Sequence, residues 1–203
     1  MIVGLGDSTT AGTPGFLSPR EAPPAGAGDP QSQYAYWMMR AHPDWVVSNC
    51  GVNGQESREI LERFPEDVLE ARPEYVIILV GVNDIYRGRS VASVQANLRA
   101  MYSAASAAGI RVVAASVLPF NSMTSRQAEA IDELNAWIAR AARESRLEFC
   151  DTHALAADPE QPRRLASSPD GYHPDVAGYR RMAEGLCLAI ERAELRPRPS
   201  GPT

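Results

Sequence analysis

One serine, one aspartate and one histidine in this chain have the types and spacing of a nucleophilic catalytic site. Asp170 and His173 are separated by Gly171 and Tyr172, and a turn at Asp170-Gly171 would bring the carboxylate back to the imidazole Nδ1. That contact would fix the tautomer and leave Nε2 to take a proton from a serine hydroxyl, which is a weak nucleophile without a neighbouring base. Ser8, which follows a short apolar run, is the candidate hydroxyl. Together these side chains could transfer an acyl group through a covalent intermediate.

Ser8 and the three histidines also have plainer interpretations. Ser8 could be only the N-cap of a helix, and His173 could be only a surface residue of a turn. His153 follows Asp151 closely, but no third ligand has suitable spacing for a metal site, so a structural role is expected. His42 precedes a proline and is expected at a helix end.

Short apolar runs alternate with longer amphipathic segments, and this alternation predicts the elements that would position these residues. The predicted strands are residues 2–5, 45–48, 75–80, 111–116 and 147–150. The third and fourth runs are too continuously apolar for a half-exposed antiparallel strand. The sequence therefore predicts a parallel sheet that is covered by helices on both faces.

The segments between these strands carry apolar residues at helical spacing. Those residues are Ile60, Phe64 and Val68, then Val94, Leu98, Met101 and Tyr102, then Ile131, Leu134 and Ile138. A last helix is predicted over residues 175–192. An interior proline costs ~3 kcal/mol in a helix, so we predict a break with Pro65 near the start of a new turn.

Residues 10–33 form the longest segment without a helix or strand pattern, and they are rich in proline and glycine. Long structureless loops are uncommon in compact domains and are often functional lids. A surface insertion or a contact between copies of the chain fits the composition equally well.

Composition restricts the classes to which the protein can belong. Its 203 residues carry a net charge of -5 without a long basic run, so nucleic acid is not an expected partner. All 20 basic residues are arginine, which excludes sites that need a phosphate-binding or Schiff-base lysine. No run approaches the ~18 apolar residues of a membrane span, and no leader is evident. We expect one domain over residues 1–195 and a flexible tail over residues 196–203.

The three cysteines, Cys50, Cys150 and Cys187, are far apart and have no metal-ligand spacing. An odd number of dispersed cysteines fits buried, reduced thiols better than a disulfide framework. The expected location is therefore the cytoplasm.

Four polar clusters occur where a parallel sheet places its catalytic groups, at strand ends and before the last helix. The clusters are residues 6–9, 49–54, 81–84 and 170–174. In this order they resemble blocks I, II, III and V of the SGNH (GDSL-type) hydrolases, and the resemblance spans Gly6 to Pro174. The first block has Thr9 where the family commonly has leucine, at a position that neighbours the reacting group.

The resemblance implies a three-layer α/β/α sandwich with a flavodoxin-like, five-stranded parallel sheet in the order 2-1-3-4-5. It also implies an esterase in which Ser8 attacks the ester, His173 moves the proton and Asp170 stabilises the imidazolium. No metal or organic cofactor is implied.

The resemblance further implies an oxyanion hole made of the backbone N–H of Ser8, the backbone N–H of Gly54 and the side-chain amide of Asn83. The second block is looser, so Gly51 is the alternative to Gly54. Glycine allows backbone to approach a substrate, and an asparagine amide never ionises. Without the other blocks, Asn83-Asp84 would read as a turn that ends the third strand.

Asp7 and Asp84 could also form a carboxylate pair for glycoside chemistry. The resemblance instead makes them supporting residues, with Asp7 anchoring the Ser8 loop and Asp84 the turn of block III. The glycines before Asp7 do not complete a dinucleotide fingerprint, because Thr9 replaces the third glycine.

The expected substrate is a small soluble ester, because no long apolar segment supplies a cap for triglyceride. A carbohydrate O-deacetylase with the same three residues is the alternative within hydrolases, and a catalytically silent binding protein is the alternative from another class. A homo-oligomer is left open, and neither a membrane nor a nucleic acid is expected as a partner. The candidates for lining the substrate pocket are Tyr34, Tyr36, Trp37, Tyr86, Phe120 and Tyr172.

Overall fold

The computed structural model describes residues 1–195 and confirms the predicted parallel sheet. The strands within these residues are β1 (Ile2–Gly6), β2 (Phe16–Leu17), β3 (Ala27–Gly28), β4 (Val47–Gly51), β5 (Tyr75–Leu79), β6 (Arg111–Ala115) and β7 (Glu148–Cys150). The main sheet has the order β4-β1-β5-β6-β7 with all neighbours parallel, which is the predicted 2-1-3-4-5. The predicted tail, residues 196–203, lies outside the described residues.

Helices connect the strands. They are α1 (Ser8–Ala11), α2 (Tyr34–Ala41), α3 (Ser57–Glu62), α4 (Val82–Tyr86), α5 (Val91–Ala107), α6 (Ser125–Glu144), α7 (Thr152–Ala156) and α8 (Val176–Glu194). The predicted last helix corresponds to α8, with Asp175 as its N-cap. No helix within residues 1–195 has the length and apolar content needed to cross a membrane.

The sheet is buried on both faces, which explains the continuous apolar runs. Along β5, Val76 and Ile78 pack against α3, α5 and α6, whereas Tyr75, Ile77 and Leu79 pack on the opposite side against α2 and α8. Because successive side chains of a strand point to opposite faces, both sets must be apolar.

Two boundaries show where sequence patterns mark an element well and where they do not. Helix α3 ends at Glu62 and a π-helical turn, Pro65–Leu69, begins at Pro65, which confirms the predicted break. Strand β4 begins at Val47 rather than at residue 45 and continues to Gly51. Its second half, Asn49-Cys50-Gly51, contains no apolar run that would predict a strand, but it pairs with β1 to its last residue.

Residues 10–33 are more ordered than predicted. They contain the antiparallel pair β2-β3 and a 3-10 turn, Pro30–Ser32, and these elements are too short to give a periodic signal. Ser18 is buried and its Oγ donates to the Gly51 carbonyl at 2.5 Å. Arg20 Nη1 lies 2.8 Å from Glu66 Oε1. This segment is therefore bound to the end of β4 and to the π-helical turn.

The cysteines and His42 lie where the sequence predicted. All three cysteines are buried and unpaired, and burial raises the pKa of Cys150 to about 12. His42 is the C-cap of α2, and its ring stacks on Trp45.

Candidate active site

Ser8 lies where β1 ends and is the first residue of α1. Asp7, not Ser8, is the N-cap of this helix, because Asp7 Oδ1 accepts the Thr9 N–H at 2.9 Å. The interpretation of Ser8 as a capping residue is therefore wrong. The four-residue helix ends at Ala11, and its C-cap is Gly12, whose φ of 107° is left-handed. This tight connection holds the Ser8 hydroxyl at the carboxyl edge of the sheet, where it is available for contacts from other loops.

The imidazole of His173 connects Ser8 to Asp170. His173 Nε2 lies 2.9 Å from Ser8 Oγ, and His173 Nδ1 lies 2.6 Å from Asp170 Oδ2. A proton on Nδ1 is favoured beside the carboxylate, which leaves Nε2 as the acceptor for the serine hydroxyl. Gly171 has a φ of 83°, so the predicted turn is present. The structure thus brings together all three residues that the sequence singled out, across most of the chain's length.

Asp170 is held in its ionised form. Burial raises the pKa of its carboxyl, but the hydrogen bond from the His173 ring and those from the backbone N–H groups of Tyr172 and His173 outweigh this effect. The pKa therefore lies below its ordinary value. The two backbone N–H groups each lie 2.9 Å from Asp170 Oδ1, so Oδ2 remains directed at the imidazole. An ionised carboxylate in this position can stabilise an imidazolium.

The end of β4 distinguishes the two candidate glycines for an oxyanion hole. The Gly51 N–H already donates to Asn49 Oδ1 at 2.9 Å, which removes it as a donor. Gly54 lies in the following turn with a φ of 75°, a conformation that favours glycine. Arg87 Nη1 donates to the Gly54 carbonyl at 2.8 Å. Within residues 1–195 no group accepts the Gly54 N–H, so this N–H is available to a ligand.

Asn83 projects from α4 rather than from a turn, so the turn interpretation of Asn83-Asp84 is wrong. Asn83 Nδ2 donates to the Gln55 carbonyl at 3.0 Å. An asparagine amide has two N–H groups, so this bond fixes its orientation and leaves one N–H for another acceptor. Asn83 lines the same cavity as Ser8 and His173.

Asp7 and Asp84 are both buried and both bind the first turn of a helix. Asp84 Oδ2 accepts the Ser57 N–H at 2.8 Å and Asp84 Oδ1 accepts Ser57 Oγ at 2.6 Å. It therefore holds the start of α3, which is a different place from the block III turn that the resemblance implied. Burial raises the pKa of Asp84. Burial also raises the pKa of Asp7 to about 7, the Thr9 N–H partly opposes this effect, and the negative charge of Asp84 adds to it.

A cavity of about 220 Å³ opens over the Ser8 hydroxyl. Three aromatic rings form one wall. The ring centroids of Tyr86 and Phe120 lie 5.7 Å apart, and the ring centroid of Tyr172 lies 5.9 Å from each of them. Three of the six aromatic candidates therefore line the cavity. The other lining residues are Ser8, Thr9, Asn53, Val82, Asn83 and His173.

The other three aromatic candidates do not reach this cavity, which corrects the prediction. Tyr34 is fully buried, and its hydroxyl lies 3.3 Å from Thr10 Oγ1. Tyr36 and Trp37 pack edge to face on α2. Sequence reasoning did not expect Thr9, Asn53 or Val82 to line the cavity, although each lies in one of the four polar clusters and next to a candidate site residue.

His153 makes structural contacts, as predicted. Its Nδ1 lies 2.8 Å from the Val117 carbonyl and its Nε2 lies 2.9 Å from the Pro162 carbonyl. In the described part of the chain no group of three or more His, Cys, Asp or Glu residues could hold a metal ion.

A second, larger cleft of about 720 Å³ is lined in part by Gly54, which is not among the residues that line the cavity over Ser8. Its lining is polar and charged, and includes Glu56, Arg87, Arg89 and Asn97. Glu56 pairs with both arginines, at 3.2 Å from Arg87 Nη1 and 2.9 Å from Arg89 Nε. A polar surface therefore extends from the candidate oxyanion site.

Comparison with known proteins gives a match over most of the chain. Residues 5–181 match the GDSL-like Lipase/Acylhydrolase family. This range extends from β1 into α8 and contains every candidate site residue.

Two curated esterases are similar to shorter segments. The chain is 37% identical over 70 residues to Esterase TesA from Pseudomonas aeruginosa, which is 34% of this chain and 35% of that esterase. It is 39% identical over 41 residues to an acetylxylan esterase from Geobacillus stearothermophilus, which is 20% of this chain and 19% of that protein. The chain thus spans about a third or less of the length of these curated relatives.

Among solved structures, a GDSL-like lipase from Bacteroides thetaiotaomicron has the same fold. Its TM-score is 0.72 at 27% sequence identity, over 95% of this chain and 88% of that chain. The three-layer architecture therefore matches that of a GDSL-like lipase over nearly the whole chain.

Proposed function

We propose that this chain, which belongs to the GDSL-like lipase/acylhydrolase family, is a carboxylic ester hydrolase that cleaves small soluble esters with Ser8 as the nucleophile. The observation that carries this proposal is the continuous line of contacts from Asp170 through His173 to Ser8 Oγ, at 2.6 Å and 2.9 Å. That line ends in the cavity, where an ester carbonyl can reach the hydroxyl.

In the proposed reaction, Ser8 Oγ attacks the ester carbonyl carbon while His173 Nε2 takes the hydroxyl proton. The ionised Asp170 stabilises the resulting imidazolium. The tetrahedral intermediate collapses when His173 returns the proton to the leaving alcohol, and an acyl-serine remains. Water then attacks the acyl-serine by the same proton transfers and releases the acid.

The negative charge of each tetrahedral intermediate needs donors that are already in place. We assign this task to the backbone N–H groups of Ser8 and Gly54 and to the second N–H of Asn83. The remaining N–H of Asn83 is bound to the Gln55 carbonyl, so the amide has little freedom to rotate. Preorganised donors of this kind each contribute ~10²–10³-fold to kcat.

The size of the cavity favours a short acyl group. At about 220 Å³ it is smaller than the ~300–1,000 Å³ of pockets that hold drug-sized ligands. Its wall of Tyr86, Phe120 and Tyr172 provides apolar surface for such a group. We expect acetyl and other short esters to be cleaved faster than long-chain esters.

A carbohydrate O-deacetylase is the second candidate, and the polar cleft beside Gly54 favours it. Paired charges such as Glu56 with Arg87, together with Asn97, offer donors and acceptors for sugar hydroxyls. The side chains of Tyr86 and Tyr172 are half exposed at the mouth of the site. The similar Geobacillus protein is an acetylxylan esterase. Rates on p-nitrophenyl esters compared with acetylated sugars separate the two candidates.

The decisive experiment is intact-mass analysis after treatment with a fluorophosphonate probe. The wild type and Ser103→Ala, which changes an exposed serine on α5, should each gain one probe mass, and Ser8→Ala should gain none. Turnover of p-nitrophenyl acetate should be retained in the wild type and in Ser103→Ala and be lost in Ser8→Ala. It should also fall strongly in His173→Ala. A wild type that is neither labelled nor active would instead indicate a binding protein on this scaffold and overturn the proposal.

A further inference from the structure

Arg63 has a nearly buried side chain beside the candidate site, with 10% of its surface exposed. It directly follows α3, and its guanidinium makes three directed contacts. Nη2 donates to the Gly6 carbonyl at 2.8 Å, Nε donates to Gln55 Oε1 at 2.6 Å, and Nη1 binds Asp67 Oδ2. Arg63 is not among the residues that line the cavity over Ser8, so it does not meet the substrate there.

Each acceptor of Arg63, apart from Asp67, is attached to part of the proposed oxyanion hole. Gly6 is the last residue of β1 and is two residues before Ser8. Gln55 follows Gly54 directly, and its backbone carbonyl accepts the Asn83 amide at 3.0 Å. One planar cation therefore connects the backbone that carries Ser8, the turn that carries Gly54 and the carbonyl that orients Asn83.

We propose that Arg63 is a positioning residue that fixes the three oxyanion donors relative to one another, an inference that rests on the proposed function. The guanidinium fork suits this task because its donors have a fixed planar geometry, whereas a lysine ammonium is a point charge on a flexible stem. Asp67, which is also buried, neutralises the charge of Arg63 and leaves two edges of the fork for Gly6 and Gln55.

Arg20 completes the support of this cation. Its Nη2 lies 3.2 Å from Asp67 Oδ1, and so Asp67 is held between two guanidinium groups. The Arg63 guanidinium is therefore held on one side by Asp67, which Arg20 fixes in place, and on the other by Gly6 and Gln55. A small displacement of preorganised groups can cost ~10²-fold in rate, so loss of the fork should lower kcat while KM changes little.

The test is a double-mutant cycle between Arg63→Lys and Asn83→Ala. Arg63→Lys retains the charge facing Asp67 and should lower kcat for p-nitrophenyl acetate ~10–100-fold, with KM within ~3-fold of wild type. If Arg63 acts by aligning the oxyanion donors, the same change should cost much less in the Asn83→Ala background. The matched control is Arg140→Lys, an exposed arginine of α6, which should leave both parameters unchanged.

Equal losses of kcat in the two backgrounds, or a loss confined to KM, would overturn the proposal. Gln55→Met supplies a second variant in case Arg63→Lys does not fold, because it removes only the Arg63 acceptor and retains the carbonyl that binds Asn83. It should show the same non-additivity, and additive behaviour would again refute the proposal. Failure of the proposed function is a separate result, since it would appear as a wild type without turnover or as activity that is retained in Ser8→Ala.

Discussion

The buried carboxyl of Asp7 predicts that one contribution to the stability of this protein falls as the pH rises toward neutrality. Asp7 is 1% exposed, and burial raises its pKa from 3.8 to about 7. In the unfolded chain the carboxyl ionises near pH 4, whereas in the folded protein it stays protonated until about pH 7. Its contribution to stability is therefore complete below about pH 4 and is lost as the pH rises to about 7.

The size of this effect follows from the shift. A difference of about three pKa units is worth ~4 kcal/mol in total, at ~1.4 kcal/mol per unit. About 2–3 kcal/mol of this falls between pH 5 and pH 8. Asp7→Asn cannot ionise, but its side-chain oxygen can still accept the Thr9 N–H. The variant should therefore gain about 2–3 kcal/mol relative to the wild type when the pH is raised from 5 to 8.

Urea unfolding at several pH values measures this difference directly. The difference in unfolding free energy between Asp7→Asn and the wild type should widen between pH 5 and about pH 7 and level off by pH 8, with unchanged m values. Asp44→Asn, at an exposed position, is the control, and its unfolding free energy should change with pH as that of the wild type does. If the unfolding free energy of Asp7→Asn also follows that of the wild type from pH 5 to pH 8, Asp7 is ionised in the folded protein and the argument from burial is refuted.

Three further predictions concern the reaction. Asn83→Ala should lower kcat for p-nitrophenyl acetate by ~10²–10³ with little change in KM, and a smaller loss in steady-state kinetics would show that this amide does not bind the oxyanion. Gly54→Ala should cost ~1–2 kcal/mol of stability because φ is 75°, and it should also lower kcat. Gly109→Ala is the control, because it introduces the same backbone strain at a φ of 72° with open space around the new methyl group. The midpoint of thermal unfolding should fall by a similar amount in both glycine variants, whereas only Gly54→Ala should lose activity. Asp170→Asn should lower kcat by up to ~10⁴ because the imidazole loses its orienting carboxylate, and near-normal turnover in this variant would remove Asp170 from the mechanism.

The sequence was most informative where a single physical requirement decides the residue type. Strand β5 is buried on both faces and so is apolar at every position, and it was located almost to the residue. The carboxyl edge of a parallel sheet gathers polar strand ends, which explains why Ser8 and His173 could be paired although they lie far apart in the chain. The turn between Asp170 and His173 is local, so its geometry followed from spacing and glycine content.

Other features depend on three-dimensional contacts that no local pattern reports. The choice of Gly54 over Gly51 is decided by Asn49, whose side chain occupies the Gly51 N–H. Tyr34 and Tyr86 are equally aromatic in the sequence, but only the fold determines that one is buried and the other lines the cavity. Arg63 reads as an ordinary charged residue after a helix, because its acceptors come from three separate segments.

The attachment of residues 10–33 has a consequence for comparing or redesigning members of this family. Ser18 and Arg20 tie this segment to the end of β4 and to Asp67, the same carboxylate that backs Arg63. Length changes at the tip between Glu21 and Ala27 leave these two attachments intact, whereas a graft that omits either of them removes a contact that supports the candidate active site. Segment exchange between relatives should therefore transfer both Ser18 and Arg20 with the loop, even though neither lines the cavity over Ser8.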